Sequence, residues 1–117
     1  MSSRNYHNGL AAEDIAERAY LARGATTLAR RFRSEAGEID LIMKEGPLII
    51  FVEVKARRNH ARAAHSISQK QWQRIGLSAQ IYLDEHAIAT TTDLRFDAVL
   101  IDAKGYADII ENAAQFD

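Results

Sequence analysis

The sequence contains no cysteine among its 117 residues. Disulfides, thiolate metal sites and a cysteine nucleophile are therefore excluded, and a cytosolic setting fits. Long apolar runs are also missing, since the most apolar stretch, residues 48–52, is far too short to cross a bilayer. The first residues carry no apolar run after Arg4, so we expect no signal peptide, no membrane partner and a cytoplasmic location.

Repeats, low-complexity tracts and linkers are absent as well. The composition, with 47% hydrophobic and 26% charged residues, is that of an ordinary globular chain. A chain of this length buries roughly two thirds of its unfolded surface, which is enough for one hydrophobic core without cross-links. The sequence therefore predicts a single domain over residues 1–117.

The net charge of −1 argues against a dedicated nucleic-acid coat protein. The charges are unevenly distributed, however. No acid occurs between residues 54 and 83, whereas eight acids and only two basic residues follow from residue 84 onward. The acid-free segment carries Lys55, Arg57, Arg58, Arg62, Lys70 and Arg74. This pattern indicates either one positive face on a nearly neutral protein or a solvated charge run.

Hydrophobic periodicity predicts a helix over residues 10–23 and strands over 26–33, 38–44 and 48–55. A capping box of Ser66 and Gln69 begins a second helix that buries Trp72 and ends near His86. A strand at 94–101 follows, then a short strand at 107–111 and an irregular or helical end at 112–116. Helices that cover a mixed sheet make this an α/β domain.

Two acids occupy facing positions in the predicted hairpin of the second and third strands. If its loop centres on Gly46 and Pro47, Asp40 lies opposite Glu53, with Cβ atoms about 5 Å apart on a face that is otherwise apolar. Facing carboxylates repel and raise each other's pKa. A divalent cation bound through their oxygens removes this conflict, so the pair predicts a metal site.

Lys55 follows Glu53 at a spacing of two residues and so projects from the same face of the strand. A cation there could orient water, assist its deprotonation or neutralise developing charge, as phosphodiester hydrolysis requires. Spacing alone leaves another interpretation open, in which Asp40 and Lys55 form a surface salt bridge at a sheet edge.

Two motifs carry a family resemblance. The runs at residues 37–42 and 51–57, GEIDLI and FVEVKAR, resemble those of the YraN-like family of small bacterial proteins. That family is similar to archaeal Holliday-junction resolvases within the PD-(D/E)XK nuclease superfamily. The likeness extends to the first helix around Glu13, the second helix around Lys70, and the strand with Arg95, Phe96 and Asp97. Two positions depart from the common pattern: Ile39, not proline, precedes Asp40, and Ala12 precedes Glu13.

The resemblance implies a restriction-endonuclease-like mixed central sheet flanked by helices, and catalysis by Asp40, Glu53 and Lys55. It implies Mg²⁺ or Mn²⁺ as cofactor, with Asp40, Glu53 and Glu13 as metal ligands. The partner implied is DNA, including branched or otherwise structured DNA, and a homodimer would suit two strands. Nucleic-acid contacts are expected from Arg57, Arg58, Arg62, Gln69 and Lys70.

Three functions follow from these observations. The first is a metal-dependent endonuclease acting on DNA. The second is a non-catalytic nucleic-acid-binding module that keeps the nuclease fold, and the third is a protein-interaction or accessory subunit that uses the acidic tail. No zinc spacing relates the histidines, which are expected at loops or helix ends: His7, His60, His65 and His86.

Overall fold

The computed structural model describes residues 3–56, 67–114 and 116, with side chains from residue 11 onward. Two helices and five strands make up this part of the chain. In chain order they are α1 (Ser3–Leu21), β1 (Thr26–Ser34), β2 (Gly37–Glu45), β3 (Leu48–Ala56), α2 (Gln69–Glu85), β4 (Leu94–Ile101) and β5 (Ala107–Ile110).

The strands form one mixed sheet in the order β1-β2-β3-β4-β5. Three of its four pairings are antiparallel, and β3 and β4 run parallel. A parallel pair needs a crossover connection, and α2 provides it. The hairpin of β2 and β3 turns at Gly46 and Pro47, as predicted, because Glu45 pairs with Leu48. Because two strands lie on each side of it, β3 is the central strand, and both of its faces are covered.

Each face of the sheet has its own helix and its own apolar cluster. Alternate residues of β3 enter the two clusters, which is why its sequence reads as one apolar run. On the α2 side the cluster includes Ile42, Ile49, Phe51, Trp72, Ile75 and Tyr82. On the α1 side it includes Ala16, Tyr20, Leu41, Ile50, Val52 and Val99. The predicted α/β class, with its restriction-endonuclease-like sheet between helices, is confirmed, as is the buried position of Trp72.

Some predicted element boundaries were wrong. α1 begins at Ser3, well before residue 10, because its first turns lack the apolar periodicity that reveals a helix. The cap of α2 is Ser68, whose hydroxyl accepts a hydrogen bond from the Gln71 amide, so Gln69 is the first helical residue and not the partner of a cap at position 66. After β5 the chain makes a turn at 111–112 and forms no helix among the described residues up to 116, so this end is irregular, one of its two predicted states.

Candidate metal centre

Asp40 lies where the β2–β3 ladder ends. The pairing runs from Glu45 and Leu48 to Leu41 and Val52, and its continuation by one step sets Asp40 opposite Glu53, as predicted. Beyond the last backbone pair, a side chain accepts the next hydrogen bond from β3: the backbone N–H of Val54 donates to Asp40 Oδ2 at 2.8 Å. The hydrogen bond holds one carboxylate oxygen against β3 at the open end of the hairpin.

Glu53 is buried, with only 5% of its surface exposed. Burial, a hydrogen bond to the carboxyl of Asp40 and the charge of Asp40 together raise the pKa of Glu53 to about 9. The positive charge of Lys55 acts in the opposite direction. The predicted conflict between the two acids therefore exists in the fold, and at neutral pH Glu53 keeps its proton unless a cation replaces it.

Lys55 follows on the same strand, and its Nζ lies 3.8 Å from Glu53 Oε2. Its side chain is 19% exposed, which leaves the ammonium partly open to solvent. The alternative reading of an Asp40–Lys55 salt bridge at a sheet edge was wrong on both counts. The ion pair runs to Glu53, and the strand that carries it is central.

Glu13 approaches from α1 and is also buried, at 5% exposure. Burial and the charge of Asp40 raise its pKa, whereas its hydrogen bond with Arg31 lowers it. Both Glu13 oxygens accept from Arg31 Nε, at 3.0 and 3.2 Å. The role of Glu13 as a metal ligand stays a prediction; in this structure its carboxylate is held by arginine close enough to Asp40 for the two charges to interact.

Arg31 has an unusual backbone conformation. Its φ of 51° lies in the left-handed region, which is costly for a residue with a long side chain. The neighbouring pairs of the β1–β2 ladder, Arg30 with Leu41 and Phe32 with Ile39, set Arg31 beside Asp40. Backbone strain of this kind concentrates at functional sites. The strained residue and the acids therefore occupy the same place in the fold.

The second helix contributes a residue that the sequence reading missed. Gln71 lies in the first turn of α2, and its Nε2 donates a hydrogen bond to Glu53 Oε2. The predicted contacts Gln69 and Lys70 lie in the same turn with exposed side chains. A second Ser-x-x-Gln spacing, Ser68 to Gln71, was the available signal for this residue.

Some predicted residues lie outside the described part of the chain: the predicted contacts Arg57, Arg58 and Arg62, together with His60, His65 and Ser66. His86 caps the end of α2, as expected.

The donor set of the Asp40–Glu53 pair fits a hard divalent cation. Within the described residues no group of three or more histidines, cysteines or acids is arranged to hold a metal ion. Mg²⁺ does not need such a cage, because it commonly binds through one or two carboxylates and completes its shell with water and substrate phosphates. The buried Glu53 carboxyl and the partly buried Asp40 carboxylate beside it match that requirement.

The fold and this site define an α/β domain of the restriction-endonuclease-like class. The chain belongs to the uncharacterised protein family UPF0102, whose family model matches residues 12–101. The predicted membership of the YraN-like family is thereby confirmed.

Relatives match over most of the chain. A UPF0102 protein of Ruegeria pomeroyi is 42% identical over 95% of this chain and 90% of its own length. Another, from Nitrobacter winogradskyi, is 47% identical over 82% of this chain and 81% of its own. A third, from Cereibacter sphaeroides, is 44% identical over 93% of both chains. Their names state no activity.

A membrane-spanning helix is not found among the described residues, because neither helix combines the length and apolar character that a crossing requires.

Proposed function

We propose that this protein is a divalent-metal-dependent endonuclease that hydrolyses phosphodiester bonds in DNA. The observation that carries the proposal is the Asp40–Glu53 pair, in which Glu53 is buried, with the Lys55 ammonium 3.8 Å from Glu53. A protein gains no stability from two facing acids of which one is buried, and such violations of local rules concentrate at functional sites. Asp40 and Glu53 would hold Mg²⁺ or Mn²⁺.

The bound metal would supply a water of lowered pKa and a polarised phosphoryl oxygen. Lys55 places its ammonium beside the pair, where it can hydrogen-bond a water or a phosphate oxygen and offset the charge that develops during hydrolysis. Gln71 fixes one Glu53 oxygen and the Val54 amide fixes one Asp40 oxygen, so neither carboxylate is free to rotate. Glu13 adds a third negative charge from the other helix, balanced by Arg31.

A cleavage assay tests this proposal. The purified protein is incubated with Mg²⁺ or Mn²⁺ and labelled DNA as single strand, duplex, flap, fork and four-way junction. We expect metal-dependent cleavage of at least one substrate, lost in Asp40→Ala and Glu53→Ala with the fold intact. Lys55→Met should reduce the rate by about 10²-fold or more, as removal of a transition-state donor does.

Matched controls come from the exposed end of α2, where Asp84→Asn and Glu85→Gln remove the same charges at the opposite end of the helix from Gln71. Cleavage that survives Asp40→Ala in a pure preparation would refute the assignment. DNA binding without cleavage under every metal condition would favour the non-catalytic module instead. The predicted homodimer stays a prediction, which light scattering on the purified protein checks.

A further inference from the structure

A cleft of about 290 Å³ opens next to the acid pair, between the start of β2 and the first two turns of α2. Its walls include Gly37, Glu38, Ser68, Lys70, Gln71 and Arg74. Gln71 is common to the cleft and the acid pair, since its side-chain amide also donates to Glu53. The negative charge of Glu38 also raises the pKa of Glu53. The cleft and the proposed metal site are therefore immediate neighbours.

The basic residues of the cleft are exposed and unneutralised within the described part of the chain. Lys70 and Arg74 have exposed side chains one helical turn apart on α2, a spacing that sets both on one face. Neither forms an ion pair with another described residue. The acid in the cleft, Glu38, already has a partner, because Arg33 Nε lies 3.4 Å from its Oε2. An anion in the cleft could therefore contact the cationic side chains of Lys70 and Arg74 and the hydroxyl of Ser68.

We infer that this cleft binds the backbone phosphate next to the scissile phosphodiester on the same nucleic-acid strand, and that Arg74 is its principal ligand. This inference rests on the proposed function for the choice of nucleic acid. A guanidinium presents paired N–H donors that match two phosphate oxygens, whereas Lys70 contributes a point charge. Gly37 forms the opposite wall, where a Cβ would stand only 3.8 Å from Arg74 Cβ, so the absence of a side chain widens the entrance.

The contact positions the strand and reads no sequence. A phosphate held by Arg74 sets the neighbouring phosphodiester over Gln71 and toward Glu53 and Lys55. The substrate class is therefore a strand with a phosphate on at least one side of the scissile bond, and a mononucleotide would not occupy both places.

Binding is measured by fluorescence anisotropy with labelled oligonucleotides in EDTA, so that no metal takes part. Arg74→Gln should weaken binding about tenfold, the loss of one charge-assisted hydrogen bond. The slope of log affinity against log salt should fall by about 1, as for loss of one phosphate contact. Arg18→Gln is the matched control, because Arg18 is an exposed arginine of α1, on the other face of the sheet. Glu38→Gln should strengthen binding.

Equal affinities for Arg74→Gln and Arg18→Gln would overturn the inference, as would failure of the wild type to bind any oligonucleotide. Inorganic phosphate is tested against chloride at equal ionic strength. Stabilisation by phosphate that needs Arg74, with DNA binding independent of Arg74, would identify a free-anion site and also overturn it. Cleavage is scored separately with Mg²⁺, so a protein that binds through Arg74 but never cuts would refute the nuclease proposal alone.

Discussion

Glu53→Gln is expected to stabilise the metal-free protein. The amide keeps the size of the carboxyl, can accept from Gln71 with its oxygen and can donate to Asp40 with its nitrogen. It cannot ionise, however, and the ionised form of Glu53 is what burial and Asp40 disfavour. The substitution therefore removes the unfavourable charge and leaves the packing in place.

The magnitude follows from the pKa. Glu53 moves from an ordinary value of 4.5 to about 9 in the folded chain, and at 1.36 kcal/mol per pKa unit the whole shift corresponds to about 6 kcal/mol. Water entry and side-chain movement lower the penalty of a buried charge to several kcal/mol or less. We expect Glu53→Gln to gain about 2 kcal/mol at pH 8, a rise in Tm of about 8 °C for a chain of this length.

The gain must depend on pH. The folded chain keeps the Glu53 proton up to about pH 9, whereas the unfolded chain loses it near the ordinary value of 4.5. Between these values the folded state binds more protons, so the free energy of unfolding of the wild type falls as pH rises through this window. The variant lacks this fall. Its advantage should therefore be close to zero near pH 4.5 and grow steadily toward pH 9.

Urea unfolding in EDTA, repeated at intervals across this pH range, measures the effect. Glu85→Gln, at the exposed end of α2, is the control and should show no comparable trend. Saturating Mn²⁺ should reverse the ranking, because a ligand that binds only the folded wild type stabilises it. An advantage that is the same at every pH, or a variant less stable than the wild type at pH 8 without metal, would refute the reasoning.

Three further predictions concern single hydrogen bonds and charges. Asp40→Asn should be no less stable than the wild type in EDTA, because the amide oxygen can still accept the hydrogen bond from the Val54 backbone N–H while the repulsion with Glu53 disappears. A drop in Tm of several degrees would contradict this. Tyr20→Phe should lose about 1–3 kcal/mol, since the Tyr20 hydroxyl donates to the fully buried Asp97 at 2.8 Å; urea unfolding checks it, and an unchanged midpoint would contradict it. Ser68→Ala should lose about 1 kcal/mol by removing the cap of α2, with calorimetry as the measurement and an unaltered Tm as the contrary result.

The sequence predicted the centre of the site because two short-range rules act there. The Gly46–Pro47 turn sets the register of the hairpin, and the alternation of side chains along a strand places Glu53 and Lys55 on one face. Those rules need no knowledge of the rest of the fold. The opposition of Asp40 to Glu53 and the raised pKa of Glu53 followed from them directly.

Contacts that depend on helix register could not be predicted in the same way. Two overlapping Ser-x-x-Gln spacings precede α2, and local preference does not distinguish a cap at residue 66 from one at Ser68. The choice decides which glutamine reaches the acid pair, and the structure selects Gln71. The left-handed φ of Arg31 could not be predicted either, because arginine has no local preference for that backbone region.

Metal titration into the purified protein, followed by calorimetry beside Asp40→Ala, tests the central proposal most directly. We expect Mg²⁺ or Mn²⁺ to bind the wild type with release of a proton, because Glu53 must give up the proton that it keeps at neutral pH. Binding to Asp40→Ala should be much weaker. Metal binding of equal strength and proton release in both proteins, or no binding to the wild type with or without DNA, would contradict a metal site at these two acids.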